Sequence, residues 1–324
     1  MTEIVVTAPA RLHFGMLDPA GVGARRFGGF GVGIEAPRVV VEVRRLGAEP
    51  ADSLIVSGSQ ADRAATFARR ARAAFGLRGG VEVNVRETIP PHSGLGSGTK
   101  LGLAIARGLA ELAGISPGPE ELAEASWRGA RSSVGCWTFT GPGLVLEAGV
   151  RGGEWISPLL ARYPMPEGWR CVLALPLGVE GLSGNAEERF FGCLREPTGV
   201  EAHVSRLLLS GLLPGLLTAD IEEFGAALSQ IQREVGSMFA TQQGGVFHPL
   251  AAPLVDALLG LGVGAVGQSS WGPTVYGIVD SPERAVDVAD HLRVEAGAGT
   301  DISVADFDRR GARVERGRSG QAAV

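Results

Sequence analysis

The chain has 324 residues, 45% of them hydrophobic and 20% charged, with a formal net charge of −5. This balance excludes a disordered or fibrous chain. A typical domain has roughly 100–200 residues, so the length favours two domains or one large α/β unit. The acidic balance supplies no positive field for nucleic acid.

Neither a signal peptide nor a membrane span is expected. The N-terminus contains Glu3 and Pro9 and lacks a basic segment followed by an apolar one. The charge-free stretch 257–279 carries several glycines and Pro273, which a membrane helix tolerates poorly. Three widely separated cysteines form no CxxC pair. Together these features predict a soluble cytoplasmic protein with free thiols.

The first half of the chain alternates short strands and helices. Apolar and polar alternation predicts strands, and a spacing of three to four residues predicts helices. Pro119 and the two glutamates after it are typical of a helix start. The predicted elements are strands over 4–7, 39–43 and 81–85 and helices over 63–75, 101–112 and from 119 onward.

The second half begins after a proline-containing connector at 162–168. Its predicted elements are strand 171–175, helices 186–194, 200–213, 221–235 and 250–261, strands 264–266 and 275–279, helix 282–292 and strand 301–304. The closing β-β-α-β order fits the second part of a split βαβ sandwich. We therefore predict domains over 1–165 and 166–308, and a disordered Arg- and Gly-rich tail over 309–324.

The strongest chemical signal is the run PPHSGLGSGTK, from Pro90 to Lys100. Small residues let the backbone approach an anion, and the helix that follows offers unpaired N–H groups. The glycine spacing is not that of a dinucleotide fingerprint, and Thr99 before the lysine excludes a Walker A motif. The alternative is a flexible turn into a core helix. Lys100 is the only lysine of the chain, either by chance or because an anion lies nearby.

Three other segments combine glycine, hydroxyl groups and charge or aromatic rings. In the first, Arg11 and Arg26 can fork onto phosphate, and Asp18 can bind Mg²⁺ or a ribose hydroxyl. His13 and His92 are candidate general acids, although a lone histidine is more often structural. The other two segments are 128–137, which is rich in arginine and serine, and 264–276, which contains a tryptophan. Surface ion pairs and solvated loops are the alternative for each segment alone.

The four segments together resemble the GHMP kinase superfamily, whose phosphate loop is approximately Pro-x-x-x-Gly-Leu-Gly-Ser-Ser-Ala. Gly98 and Thr99 replace its second serine and its alanine. Within the superfamily the chain is most similar to the β-ribofuranosylaminobenzene 5′-phosphate synthases. The matching segments are RLHFGMLD (11–18), GGFGVG (28–33), HSGLGSGT (92–99), RGARSSVG (128–135), 184–190 and QSSWGPTVY (268–276).

Three departures bear on this resemblance. Kinases of the superfamily commonly carry a lysine where this chain has Arg11, and many carry an aspartate where Gly135 stands. A kinase without that aspartate lacks a group to accept the substrate's hydroxyl proton. The synthases usually have glutamine at the position of Lys100.

The resemblance implies an α+β fold of two-layer α/β sandwiches, with an N-terminal α/β domain and a ferredoxin-like C-terminal domain. It implies a cytoplasmic, homodimeric phosphoribosyltransferase of methanopterin biosynthesis. The reaction joins phosphoribosyl pyrophosphate to 4-aminobenzoate through a C–C bond and releases CO₂ and pyrophosphate, with Mg²⁺ or another divalent cation. 4-Hydroxybenzoate is an alternative arene, and no nucleic acid or membrane is involved. A true small-molecule kinase and a non-catalytic binding protein of the same fold are the other hypotheses.

The resemblance and the residue chemistry assign roles as follows. The catalytic residues are Arg11, Asp18 and Arg131, and Asp18 and Ser97 bind the metal. Trp137 and Trp271 form the arene pocket. The residues that contact pyrophosphate and the phosphoribosyl group are Ser93, Gly94, Leu95, Gly96, Ser97, Gly98, Thr99, Arg26, Ser269, Ser270 and Thr274.

Overall fold

A computed structural model describes residues 2–21, 23–47, 52–178 and 199–318 of the chain. The strands are β1 (Thr2–Asp18), β2 (Phe27–Arg45), β3 (Leu54–Gly58), β4 (Val81–Glu87), β5 (Leu144–Glu147), β6 (Leu159–Tyr163), β7 (Arg170–Pro176), β8 (Ala265–Gln268), β9 (Val275–Val279), β10 (Thr300–Asp306) and β11 (Arg313–Arg318). The helices are α1 (Ala61–Ala74), α2 (Ser97–Ala113), α3 (Pro119–Ser126), α4 (Val134–Thr140), α5 (Val200–Leu207), α6 (Leu213–Thr218), α7 (Ile221–Gln243), α8 (Ala252–Gly260) and α9 (Pro282–Ala296), and a π-helical turn (Leu208–Leu212) joins α5 to α6.

A seven-stranded sheet forms the N-terminal half. Its main path is β11-β1-β2-β4-β3, and β5 and β6 continue from β2. Strands β1 and β2 form a long antiparallel hairpin that α2 covers, because alternate residues such as Ile4 and Val6 are apolar and fully buried. The two strands predicted over 4–7 and 39–43 lie inside this hairpin but are much shorter than the observed strands.

Glycines explain why the hairpin extends through a segment that resembles a loop. The sequence 27–33 is glycine-rich, yet it pairs with 11–18 in β1. A side chain at Gly31 would overlap the carbonyl oxygen of Leu12 and contact Val134 of α4. The missing side chain therefore lets α4 pack directly onto the hairpin.

A four-stranded antiparallel sheet forms the second half, in the order β10-β7-β9-β8. The helical run from α5 to α8 connects β7 to β8, and α9 connects β9 to β10, so the order of layers is β-α-β-β-α-β. The prediction of a ferredoxin-like C-terminal domain is confirmed. The two sheets divide between Tyr163 and Arg170, within the proline-containing connector.

The end of the chain corrects one prediction. Residues 313–318 form β11, which pairs antiparallel with β1 from Thr7↔Arg313 onward, so a disordered tail from 309 is wrong for this segment. The segment lacks strong apolar alternation because its pairing comes from the backbone of an edge strand. Arg316 also pairs with Glu111 of α2 at 2.5 Å. The predicted helix 186–194, the matching segment 184–190 and Cys193 lie outside the described residues.

One stretch of the described residues has the length and apolar composition to cross a membrane. It is the run Val200–Thr218, through α5, the π turn and α6, and 33% of the apolar window is buried within the fold. Core helices of soluble proteins pass the same test, so this composition is weak support for a membrane span. The charge-free stretch 257–279 instead forms the end of α8 and the buried strands β8 and β9.

Candidate active site

A cavity of about 250 Å³ lies between the two halves of the molecule. Its walls come from β1, the start of α2, the connection between α3 and α4, helix α7 and the connection between β8 and β9. One part of the lining carries Arg11, Thr99, Arg128 and Arg131, and another part, the aromatic wall, includes Phe14, Phe239 and Trp271. The cavity therefore joins an anion-binding side to an apolar side.

The phosphate loop ends at the N-terminus of α2. Gly94 and Gly96 have φ values of 84° and 83°, which favour glycine, and Gly96 is the residue before the helix. Ser97 begins the helix and Thr99 lines the cavity. Leu95 is buried, and its carbonyl accepts the Arg11 N–H at 3.1 Å. The loop thus presents the free N–H groups of a helix start toward one end of the cavity.

Hydroxyl groups from the second half of the molecule fasten this loop. The Thr274 hydroxyl donates to the Ser93 carbonyl at 2.6 Å, and the Ser269 hydroxyl donates to the Gly94 carbonyl at 2.8 Å. Arg11 also donates to the Gly94 carbonyl. Thr274 and Ser269 are fully buried, so they hold the loop instead of facing a ligand. This contact corrects their expected role as direct substrate contacts.

Two other predicted residues of this region differ in their surroundings. The Ser93 hydroxyl is buried and donates to the Pro90 carbonyl at 2.7 Å, so it closes the turn. Ser270 lines the cavity, with a left-handed φ of 56°. Of the predicted serine contacts in these two loops, Ser270 therefore faces the cavity directly.

An arginine cluster lies beside the start of α2. We use this name for Arg63 and Arg70 of α1 and for Arg128 and Arg131, which follow α3. Burial, together with the charges of the other three arginines, lowers the pKa of Arg128 to about 10. Among the described residues, no carboxylate lies within ion-pair distance of Arg63 or Arg128, so the cluster is a concentrated positive charge.

Gly98 makes room for this cluster. A side chain at Gly98 would overlap the guanidinium of Arg63 and would lie 3.4 Å from that of Arg128. Glycine therefore replaces the superfamily's serine at this position because a side chain would displace the Arg63 guanidinium. Arg63 and Arg128 were absent from the assigned site residues, although Arg128 begins the matching segment 128–135, and Gly98 was the signal that could have indicated Arg63.

Thr99 and Gly135 form a second complementary pair. The Thr99 methyl lies 2.9 Å from the place where a Gly135 side chain would begin. An aspartate at 135 would therefore collide with the threonine that replaces the superfamily's alanine. Two departures from the kinase pattern are in contact, and together they exclude a carboxylate from this position.

Lys100 lies away from the cavity. It is fully buried, and its ammonium donates to the Thr138 hydroxyl at 2.9 Å. Burial lowers its pKa to about 7, while Asp308 raises it. The lone lysine is thus a structural residue between α2, α4 and the segment after β10.

Asp18 and Arg26 lie at the far end of the β1–β2 hairpin. The N–H groups of Gly21 and Gly23 donate to the Asp18 carboxylate at 2.7 and 2.8 Å, which shapes the hairpin loop. Arg26 is exposed and stacks on Phe27. Neither is among the described residues that line the cavity, so the structure does not bring them to the phosphate loop.

The aromatic wall contains one of the two predicted tryptophans. Trp271 packs against Phe239 of α7, with ring centroids 4.3 Å apart. Trp137 instead donates its indole N–H to the Ser157 carbonyl at 2.8 Å and is not among the lining residues. The structure therefore corrects the expected arene role of Trp137. It adds Phe239 and Phe14 to the wall.

A polar chain leads from the cavity into the core. His13 Nε2 lies 3.0 Å from the Ser132 hydroxyl, which donates to a Glu147 carboxylate oxygen at 3.0 Å. The Ser133 N–H donates to the other oxygen at 2.7 Å. Burial raises the pKa of Glu147 to about 8 and lowers that of His13 to about 3. The sequence does not single out Glu147, because a glutamate at the end of an apolar strand belongs to no recognisable motif.

The described part of the chain contains no acidic or histidine cluster for a metal. Among the described residues, no group of three or more His, Cys, Asp and Glu side chains could hold a metal ion. Mg²⁺ usually keeps several waters and binds through one or two protein groups together with substrate phosphates. Ser97, at the α2 start, suits that mode of binding, whereas the Asp18 carboxylate already accepts two backbone N–H groups.

Comparison with known proteins adds an independent finding. The family model of the GHMP kinases' N-terminal domain matches residues 61–138, and that of their C-terminal domain matches 212–298. A homoserine kinase structure from Cytophaga hutchinsonii has a TM-score of 0.71 at 18% identity and covers 97% of each chain. At this identity the likeness shows the fold.

Two curated relatives carry one printed name, β-ribofuranosylphenol 5′-phosphate synthase. That of Methanothermobacter thermautotrophicus is 32% identical, over 96% of this chain and 98% of the relative. That of Archaeoglobus fulgidus is 30% identical, over 86% of this chain and 88% of the relative.

Proposed function

Because the chain belongs to the β-ribofuranosylphenol 5′-phosphate synthase family of the GHMP kinase superfamily, we propose that it is a phosphoribosyltransferase of methanopterin biosynthesis. It joins C1 of phosphoribosyl pyrophosphate to the carboxylate-bearing carbon of a benzoate with a 4-amino or 4-hydroxyl group. CO₂ and pyrophosphate are released. The observation that carries this proposal is a cavity lined both by arginines beside the phosphate loop and by aromatic rings.

The cationic side suits the leaving pyrophosphate. Arg128 and Arg131 line the cavity, and Arg63 lies over the start of α2 beside Gly98. Fixed positive groups in a site that excludes water stabilise charge that develops as the C1–O bond breaks. This is the largest electrostatic demand of the reaction, because the ribose becomes oxocarbenium-like at the same time.

The aromatic side suits the arene. Trp271 and Phe239 offer flat apolar surface for a benzene ring. An apolar environment penalises the arene's carboxylate charge, and loss of CO₂ removes that charge. The wall therefore supports the decarboxylation half of the reaction.

The kinase hypothesis has less support. A kinase needs a group that accepts the substrate's hydroxyl proton, and Thr99 occupies the space that an aspartate at 135 would need. The arginine cluster also lies against the phosphate loop, with the guanidinium groups of Arg63 and Arg128 beside Gly98. Both features favour binding of a pyrophosphate leaving group, and not binding of ATP as a phosphate donor.

We propose Mg²⁺ as the divalent cation, with the Ser97 hydroxyl as its protein ligand. When bound, Mg²⁺ neutralises charge on the pyrophosphate. The Arg11 guanidinium holds the Gly94 carbonyl, so it positions the loop beneath that charge. Activity that is unchanged after chelation and dialysis would contradict the requirement for a cation.

The oligomeric state and the compartment are also part of the proposal. Leu209 and Leu217 are exposed by 63% and 67% on the helical run from α5 to α6, which supports burial between two copies. Cys136 and Cys171 are free and buried, in keeping with the cytoplasm. Light scattering during size exclusion measures the predicted dimer mass.

The test measures both products. Purified protein is incubated with phosphoribosyl pyrophosphate, Mg²⁺ and carboxyl-labelled 4-aminobenzoate or 4-hydroxybenzoate, and released CO₂ and pyrophosphate are counted. We expect one of each per turnover without ATP. A parallel reaction contains ATP and a panel of small alcohols.

Each other outcome identifies a competing hypothesis. ADP formation without CO₂ would establish a kinase. A folded protein that binds phosphoribosyl pyrophosphate but is silent in both reactions would be a binding protein.

A further inference from the structure

A polar chain of three side chains connects the cavity to a carboxylate that has no access to solvent. Glu147 at the end of β5 is 0% exposed, and His13 of β1 is 5% exposed. Ser132 joins them, at 3.0 Å from each partner atom, and it lines the cavity together with His13. Three distant parts of the chain thus meet at one hydroxyl group.

The Ser132 hydroxyl has one weakly held acceptor site that a ligand can take. Its proton is donated to Glu147, and one lone pair faces His13 Nε2. The other lone pair accepts the Val134 N–H at 3.4 Å, the longest of the three hydrogen bonds. A hydroxyl group bound in the cavity can therefore donate to Ser132 in place of the Val134 N–H.

The surroundings of Glu147 differ from those of a structural ion pair. No described cation lies within ion-pair distance of its carboxylate, and Cys136 of α4 is the ionisable thiol that faces it. Arg11 is the charged neighbour of His13. A buried carboxylate without a cation is costly, and the protein offsets part of that cost with two donors, the Ser132 hydroxyl and the Ser133 N–H. Burial raises the pKa of Glu147 to about 8, so it exchanges protons near neutral pH.

We propose, on the basis of the proposed function, that Ser132 and Glu147 form a proton relay that removes the 4-hydroxyl proton of a phenolic substrate while His13 orients Ser132. Ser132 is the residue that touches the arene. Glu147 receives the proton through it. The relay thereby adapts the cavity to a phenol.

The chemistry of the two candidate arenes explains why a relay matters. As C1 bonds to the carboxylate-bearing ring carbon, the C1–O bond breaks and pyrophosphate leaves with its electron pair. A phenol supplies the ring electrons best when its proton passes to the relay, which leaves a neutral dienone that still carries the carboxylate. Loss of CO₂ returns that bond's electrons to the ring, and the proton returns to oxygen. An arylamine donates its lone pair without losing a proton.

The test compares Glu147→Gln with the wild type on both arenes. We expect kcat with 4-hydroxybenzoate to fall roughly 10²-fold and kcat with 4-aminobenzoate to fall less than about tenfold, because only the phenol needs a base. KM for phosphoribosyl pyrophosphate stays unchanged. In the wild type, kcat with 4-hydroxybenzoate rises with pH as Glu147 loses its proton, and in the variant this rise disappears.

A second variant and a matched control guard against a structural effect. Ser132→Ala removes the bridging hydroxyl and keeps the Ser133 N–H bond to Glu147, and we expect the same selective loss with the phenol. Glu120→Gln makes the same chemical change at an exposed position of α3, and both arenes should react at the wild-type rate.

Three outcomes would overturn the relay. Unchanged turnover in Glu147→Gln would show that no proton passes through it. An equal loss on both arenes with an unaltered pH profile would assign Glu147 a structural role. A wild type that releases neither CO₂ nor pyrophosphate would overturn the proposed function and, with it, the relay.

Discussion

Two residues at the start of α2 differ from the superfamily's phosphate loop. Each substitution fits the side chain or the glycine that it contacts. Gly98 leaves space for the Arg63 guanidinium, and Thr99 fills the space above Gly135. Each substitution taken alone suggests a weakened loop. Together, Thr99 excludes an aspartate at position 135 and Gly98 admits the Arg63 guanidinium. The site thereby gains positive charge, which suits a pyrophosphate leaving group.

Gly98→Ala tests the role of the arginine cluster. The new methyl group displaces the flexible end of Arg63 without opposing backbone, so we expect KM for phosphoribosyl pyrophosphate to rise about tenfold, a loss of about 1.4 kcal/mol. The free energy of unfolding should stay equal or rise by up to about 1 kcal/mol, because alanine favours the helix. Steady-state kinetics and urea unfolding measure the two effects.

The control for Gly98→Ala is a double-mutant cycle with Arg63→Ala. If the methyl group acts through Arg63, adding Gly98→Ala to Arg63→Ala changes KM no further. Additive effects of the two substitutions would contradict this explanation.

Lys100→Gln tests whether the lone lysine has a structural role only. We expect turnover and both KM values to stay within about twofold of the wild type, because Lys100 is buried away from the cavity. Burial depresses its pKa from 10.5 to about 7, so wild-type stability is lost as pH falls through that interval.

The measurement for Lys100 is the melting temperature of both proteins as a function of pH. The variant should gain on the wild type as pH falls toward about 7. A constant difference across pH would mean that Asp308 compensates fully for the buried charge.

At the scale of elements, the phosphate loop depends on the β8–β9 connection. The hydroxyls of Thr274 and Ser269 bind its carbonyls, and Gly272 packs against Gly94 so closely that neither position has room for a side chain. A loop from one half of the molecule is therefore shaped by a turn from the other half. This contact positions the helix start relative to the cavity.

Thr274→Val removes one bond of this contact while preserving shape. The Ser93 carbonyl then loses a buried donor, which costs about 1–3 kcal/mol of unfolding free energy. A less fixed loop should raise KM for phosphoribosyl pyrophosphate about fivefold and leave KM for the arene unchanged. Thr66→Val, which removes a local bond on an exposed face of α1, is the matched control. An effect on the arene alone would contradict the loop-fastening role.

At the scale of the whole molecule, the last described strand packs against the first one. After β10 the chain returns to the first sheet, where β11 pairs with β1 and Asp308 accepts the Gly311 N–H at 2.6 Å. The N-terminal half therefore contains both ends of the described chain. Strand β11 covers the edge of β1, which would be unpaired if this segment were disordered.

Ending the chain after Arg310 tests the contribution of β11. Loss of the strand exposes the edge of β1, so we expect the free energy of unfolding to fall by about 2 kcal/mol or more. Chemical denaturation of the full and shortened chains measures the difference. Arg316→Ala is the control, because it keeps the strand and removes one ion pair of an exposed arginine, while Glu111 keeps its pair with Arg107. We expect this change to cost about 1 kcal/mol or less. An unchanged midpoint after truncation would show that β11 does not stabilise the sheet.

The sequence by itself determined the features that depend on neighbours along the chain. Alternation and helical spacing indicated most of the described strands and helices, and the glycine-rich run before α2 indicated an anion-binding helix start. The motifs of the four glycine-rich segments also indicated the family and hence the reaction. Each of these signals lies within a few residues of sequence, where spacing determines local geometry.

Only the tertiary structure decided which of those residues meet. Glu147, Ser132 and His13 are far apart in sequence and become one chain of hydrogen bonds because β5, the segment before α4 and β1 pack together. The same packing turns Ser269 and Thr274 away from the cavity and leaves Asp18 and Arg26 at the distant end of the hairpin. Whether a side chain faces a ligand depends on the direction in which folded elements bring it, and no local pattern encodes that direction.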